Sequence, residues 1–256
     1  MTSPRAPRTQ PQLYHAPPRV VPAVRAVVAG ILTIYVLQLM LGGLLGGLVA
    51  AALGYLVVTL ELIGWARFAE LSLGLRGAPA RFFIAAVLIG LACWYVDLRL
   101  VAAIQPPGDT RRLEAAVTHA SLLGALVSLA VLPAVAEELL FRGVLARSLA
   151  SRHALLAVGT SALVFSAYHL DPVQIVGTFP LALALGTLAV RSGSILPGML
   201  AHFLNNVVVI ALVHLDAPGV VEVIDRHPSC VLLITVASVV TGVALSAKAS
   251  AGSGIR

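Results

Sequence analysis

Charge is what this chain has least of. Of its 256 residues only 11% are Asp, Glu, Lys or Arg, whereas 59% are hydrophobic and the mean hydropathy is +0.98. A water-soluble domain carries about 25% charged and 45–50% apolar residues, so water is excluded as the solvent for most of this chain. Cysteine is nearly absent: Cys93 and Cys230 lie in or beside apolar runs far apart in sequence and are expected as buried free thiols. The first twenty residues lack a short apolar core followed by a small-residue cleavage site, and their Pro, Arg and Gln content reads as a disordered tail. The net charge of +6 gathers into no basic face, because the arginines are scattered between apolar runs, and nucleic acid is therefore not an expected partner. No fixed-period repeat occurs, and no extramembrane loop is long enough to fold as a domain.

What is present is a series of apolar runs. A spanning helix needs about 20 mainly apolar residues, since the hydrocarbon core is about 30 Å thick and a helix rises about 1.5 Å per residue. The stretch Val27 to Ile63 is too long for one span, and Gly42-Gly43 and Gly46-Gly47 offer turn points that divide it in two. Further runs fall near Phe82–Ile104, Ala120–Leu149, Ala154–His169, Ile175–Val190, Ile195–His214 and Cys230–Ala247. The expected fold is therefore all-α, a polytopic membrane protein of about eight transmembrane helices. Residues 1–21 are expected as a disordered cytoplasmic tail, 22–247 as a single transmembrane domain and 248–256 as a short cytoplasmic tail. With both termini inside, most arginines fall on the cytoplasmic side, the distribution that orients membrane proteins.

Against that apolar background a few polar residues stand out, because a carboxylate or Arg at mid-span costs about 2.5–3.5 kcal/mol on insertion scales. Glu137, Glu138 and Arg142 follow the run Leu122–Ala136. Glu138 and Arg142 are four apart and can pair on one helical face, while Glu137 points about 100° away and lacks that partner. His169 ends the next run. If the hairpin turns near Arg152, Glu137 and His169 both stand about 22–26 Å from the turn, at matched depth. His202 and Asn206, four apart and well inside a later run, share a face. Asp97 and Arg99 read as a pair or as residues reaching the interface, and Gly and Ala along Gly42–Gly54 as close helix packing.

Glu137-Glu138-Leu-Leu-Phe-Arg142, Phe165-x-x-x-His169 and His202-x-x-x-Asn206, in that order on separate apolar helices, resemble the three motifs of the CPBP family of CAAX prenyl-protease-type and bacteriocin-processing intramembrane proteases, also called the Abi family. The resemblance runs from about Leu122 to His214. It implies an eight-helix intramembrane fold in which Glu137 and His169 activate water, His202 and Asn206 stabilise the oxyanion, and Glu138 and Arg142 support the site. The implied activity is hydrolysis of a peptide bond in a membrane-associated or lipidated peptide or protein, with membrane lipids as the other partner. The expected location is a bacterial inner (cytoplasmic) membrane.

Peptide hydrolysis independently asks for a base, donors to the developing oxyanion and a proton for the leaving amine, and these side chains supply such groups. A metal-free site is expected. Zinc remains the alternative cofactor and would take Glu137, His169 and His202, although no HExxH occurs and Asn206 is a poor ligand. A serine type is disfavoured because Ala162 stands where a GxSG-like turn needs its second glycine, and no Gly-x-Gly-Asp supports an aspartyl type. A proton-coupled transporter would distribute its polar residues over two pseudo-symmetric halves. A non-catalytic scaffold or immunity factor would have lost a motif residue, and none is lost.

Overall fold

The computed structural model describes residues 16–104, 120–150, 152–214 and 218–247. Among these the chain is mostly helical, with no strand. The helices are α1 (Val20–Leu45), α2 (Gly47–Phe68), α3 (Ala80–Gly90), α4 (Cys93–Ile104), α5 (Leu122–Ala150), α6 (Ala154–Tyr168), α7 (Pro172–Ser192), α8 (Leu196–His214), α9 (Pro218–Arg226) and α10 (Pro228–Ala247). Taking α3 and α4 as one rod, seven rods among the described residues are long and apolar enough to cross a membrane. The eighth expected span, α6, has 15 residues, or about 22 Å of helix, and falls short by length. The protein is thus an all-α, multi-pass integral membrane protein. The expected tails lie largely outside the described residues.

Several boundaries follow from local chemistry. The α1–α2 turn falls at Gly46, whose φ of 83° is a left-handed conformation open to glycine, so one of the two expected glycine pairs makes the turn. Of the glycines read as packing residues, only Gly54 packs closely, 3.1 Å from the Cα of Ile34 for an added Cβ. Gly42, Gly43 and Gly47 have nothing within 4 Å. The run Phe82–Ile104 is interrupted at Leu91-Ala92. Asp171 caps α7 by accepting from the amides of Val173 and Gln174 at 2.8 and 3.0 Å. Cys93 is buried as expected; Cys230 is exposed, because it lies on α10, most of whose surface faces outward.

α1 pairs with α2 and α6 with α7, while α3 packs against both α8 and α10. α5 runs through the middle, touching α1, α2, α6, α7 and α8. The largest core cluster joins Ile34, Val58, Leu140, Phe141 and Phe165, with the rings of Phe141 and Phe165 edge-to-face at 5.3 Å. Lipid tails are as apolar as these side chains, so close packing, and not escape from water, holds the rods together. At one end Arg147 donates to the carbonyls of Ser72 (3.1 Å) and Gly193 (3.0 Å), and Arg76 donates to the same Gly193 oxygen at 2.9 Å. The turns before α3 and α8 are thereby tied to the end of α5.

Candidate active site

Pro133 shapes the first part of the site. It has no N–H, so the carbonyl of Leu129 four residues earlier loses its helical donor, and the helix widens into a π segment over Leu126–Val131. The Asn206 amide, reaching across from α8, donates to that Leu129 oxygen at 2.9 Å. A second π segment, Glu138–Ala146, begins at the glutamate pair itself.

Glu138 and Arg142 are completely buried and pair at 2.7 Å. Arg142 also donates to the Ala182 carbonyl of α7 at 2.9 Å, and its guanidinium lies 4.5 Å from the centre of the Phe165 ring. The pair was legible in the four-residue spacing. What spacing did not disclose is that the imidazole of His202 sits between both glutamates: Nδ1 is 3.3 Å from Glu138 Oε1, and Nε2 is 3.7 Å from Glu137 Oε2. Neighbouring residues pointing about 100° apart can meet one ring because its two nitrogens face different ways. Glu138 Oε2 has no hydrogen-bond partner among the described residues and abuts Gly198, where an added Cβ would lie 2.7 Å from it.

His169 follows the last turn of α6, with Nδ1 3.1 Å from the Phe165 carbonyl. A carbonyl can only accept, so Nδ1 carries a proton, and in the neutral ring the lone pair is on Nε2. The Phe165 ring meets the rings of His169 and His202 edge-on, at 5.3 and 5.7 Å.

One cavity of about 190 Å³ collects these groups: Glu137, His169, His202 and Asn206 all line it. Glu138 and Arg142 do not line it and stand behind His202. Residues not expected at the site also contribute, among them Tyr55, Asp97, Thr178 and Asn205. Asp97 forms no pair with Arg99 among the described residues. It lines the cavity and accepts a long hydrogen bond from Cys93 Sγ at 3.7 Å. The signal for it was present, since a carboxylate within a span marks a polar interior. Tyr55 carried no such signal, because a tyrosine in an apolar run costs little. Among the described residues no three His, Cys, Asp or Glu side chains are grouped as a metal site.

Residues 119–208 match the family model described as type II CAAX prenyl endopeptidase, Rce1-like. That segment is similar to the CAAX-protease family. Comparison with curated proteins and with solved structures gives no match. The matched segment contains Glu137, Glu138, Arg142, His169, His202 and Asn206, whereas Tyr55 and Asp97 reach the cavity from helices outside it.

Proposed function

We propose that the protein is an intramembrane endopeptidase of the CAAX type. The observation that supports this reading most is the convergence of Glu137, His169, His202 and Asn206, from three helices, on one small cavity inside an integral membrane protein. In the proposed reaction a water molecule lies between Glu137 Oε2 and His169 Nε2. Glu137 takes one proton, and the hydroxide adds to the substrate carbonyl carbon. The carbonyl π electrons move to oxygen, where Asn206 and His202 donate hydrogen bonds; such donors are worth about 10²–10³-fold in rate each. Asn206 has one amide hydrogen committed to Leu129 and a second for this role. For His202 to donate from Nε2 while Nδ1 donates to Glu138, the ring carries both protons, and the two glutamates compensate its charge. The oxyanion then collapses, the C–N bond breaks, and the departing amine takes the proton from Glu137. Glu138 and Arg142 hold the His202 ring in place.

The substrate class is a membrane-associated or lipidated peptide, with a prenylated Cys-a-a-X tail as the first candidate. The proposed location is a bacterial inner membrane with both termini cytoplasmic. Purified protein in lipid nanodiscs is expected to cleave a farnesylated Cys-a-a-X peptide and to keep that activity after dialysis against a strong chelator. Cleavage that disappears on chelation and returns with one equivalent of zinc would overturn the metal-free mechanism in favour of a metal held by Glu137, His169 and His202. For the native substrate, membranes from cells carrying the wild type and Glu137→Gln are compared for a precursor left uncleaved by the variant.

A further inference from the structure

Helix α2, outside the residues matched by the family, sends a polar group to the centre of the site. Tyr55 lines the cavity, and its hydroxyl is 2.9 Å from Glu137 Oε1 and 3.1 Å from the hydroxyl of Tyr168. An ionised carboxylate has lone pairs only, so the Tyr55 proton goes to Glu137. The Tyr55 oxygen then accepts from Tyr168, and the chain of hydrogen bonds has one direction: Tyr168 to Tyr55 to Glu137 Oε1. Tyr168 is itself held. Its backbone carbonyl lies at the end of α6, where Pro172 four residues later offers no N–H, and the hydroxyl of Tyr35 on α1 donates to it instead. The Tyr168 ring packs 5.6 Å from those of both Tyr35 and Phe141.

The final torsion of a glutamate is broad and nearly two-fold, so an unrestrained Glu137 would exchange its two oxygens. We propose that Tyr55, backed by Tyr168, is a positioning residue that ends this exchange: it occupies Oε1 and leaves Oε2, the oxygen 3.7 Å from His202 Nε2, as the one that receives the proton of water. The proposal rests on the reading of Glu137 as the base. The Tyr55 oxygen accepts from Tyr168, and the bond its own proton makes to Glu137 is charge-assisted and restrains the reacting group. The assignment also gives the α1–α2 hairpin a part in the chemistry.

The test compares Tyr55→Phe, Tyr168→Phe and, as a control, Tyr95→Phe, which removes a hydroxyl bonded to the Pro228 carbonyl on a residue that does not line the cavity. The probe is a farnesylated Cys-a-a-X peptide in nanodiscs. Loss of a hydrogen bond to a charged group predicts that Tyr55→Phe lowers kcat about 10- to 100-fold with KM within about twofold, while Tyr168→Phe, which removes a neutral bond, loses about 3-fold. Tyr95→Phe keeps wild-type kcat and KM. A Tyr55→Phe enzyme that matches the Tyr95→Phe control, or that changes KM alone, overturns the proposal. A parallel measurement needs no substrate: detergent melting of Tyr55→Phe, Glu137→Leu and the double variant. If the two residues are coupled, the double variant melts higher than the sum of the single shifts predicts; strictly additive shifts overturn the proposal. A wild type that leaves the probe intact rejects the substrate reading, and the melting cycle then decides the role of Tyr55.

Discussion

Helices α5 and α10 are both apolar enough to cross a membrane, yet half of the spanning window of α5 is buried inside the protein, against 17% of that of α10. α10 contains no charged residue, and Leu233 and Ile234 are 70% and 69% exposed. α5 carries Glu137, Glu138 and Arg142, each at most 3% exposed. Overall apolarity thus qualifies a segment for the membrane without saying whether it faces lipid or protein. The few charges do say so, because their cost is tolerable only where neighbouring rods supply partners. In α5 the partners come from α2, α7 and α8.

That contrast can be broken at graded strength. The largest effect is expected for Glu137→Gln, which keeps the side-chain volume and removes the base: activity should fall by about 10²–10⁴-fold, toward the upper end, with the melting temperature close to wild type. A folded Glu137→Gln protein that cleaves at the wild-type rate would refute the assignment. His202→Ala and Asn206→Ala should each cost about 10²–10³-fold in kcat, and the double variant should lose far less than the product, because both donors serve one oxyanion.

Arg142→Ala is expected to act on stability, since it strands Glu138 as an unpaired buried charge, at a cost of about 3–5 kcal/mol. Expression level and detergent melting would record the loss. Gly198→Ala places a methyl 2.7 Å from Glu138 Oε2, whose carboxylate is already held by Arg142 and His202 and has nowhere to move. Overpacking of this kind costs about 1–3 kcal/mol. At the other extreme, Leu233→Ala on α10 should shift stability by no more than about 0.5 kcal/mol, and a larger loss would show that α10 packs against something beyond the described residues.

The sequence disclosed seven of the expected spans and the three motifs because both depend on local spacing: run length for the first, four-residue intervals for the second. The Glu138–Arg142 pair is the clearest instance, written in the chain and found at 2.7 Å. It disclosed less wherever a contact joins distant residues without local pattern. The hydrogen bond from Tyr55 to Glu137 joins positions 82 apart, and nothing about a tyrosine in an apolar run announces it. Asp97 was visible as an anomaly, but its destination in the cavity depends on how α4 packs against α7. The π segments lie between these cases. Pro133 interrupts the α5 run and removes one donor, but the freed Leu129 carbonyl finds its replacement donor in the Asn206 amide of a distant helix.

The hydrogen bond from Arg147 to the Gly193 carbonyl, described as one of the ties at the end of the bundle, also sets lengths. Nine positions separate Arg147 from Glu138 along α5, and nine separate Gly193 from His202 at the start of α8. Two arms of equal residue count leave one fastening point, and their tips meet at 3.3 Å. Inserting or deleting one residue in either arm would slide its tip by about 1.5 Å and turn it by about 100°. Side chains along the arms can be exchanged for others of similar size, whereas the number of residues in each arm cannot change without separating His202 from both glutamates.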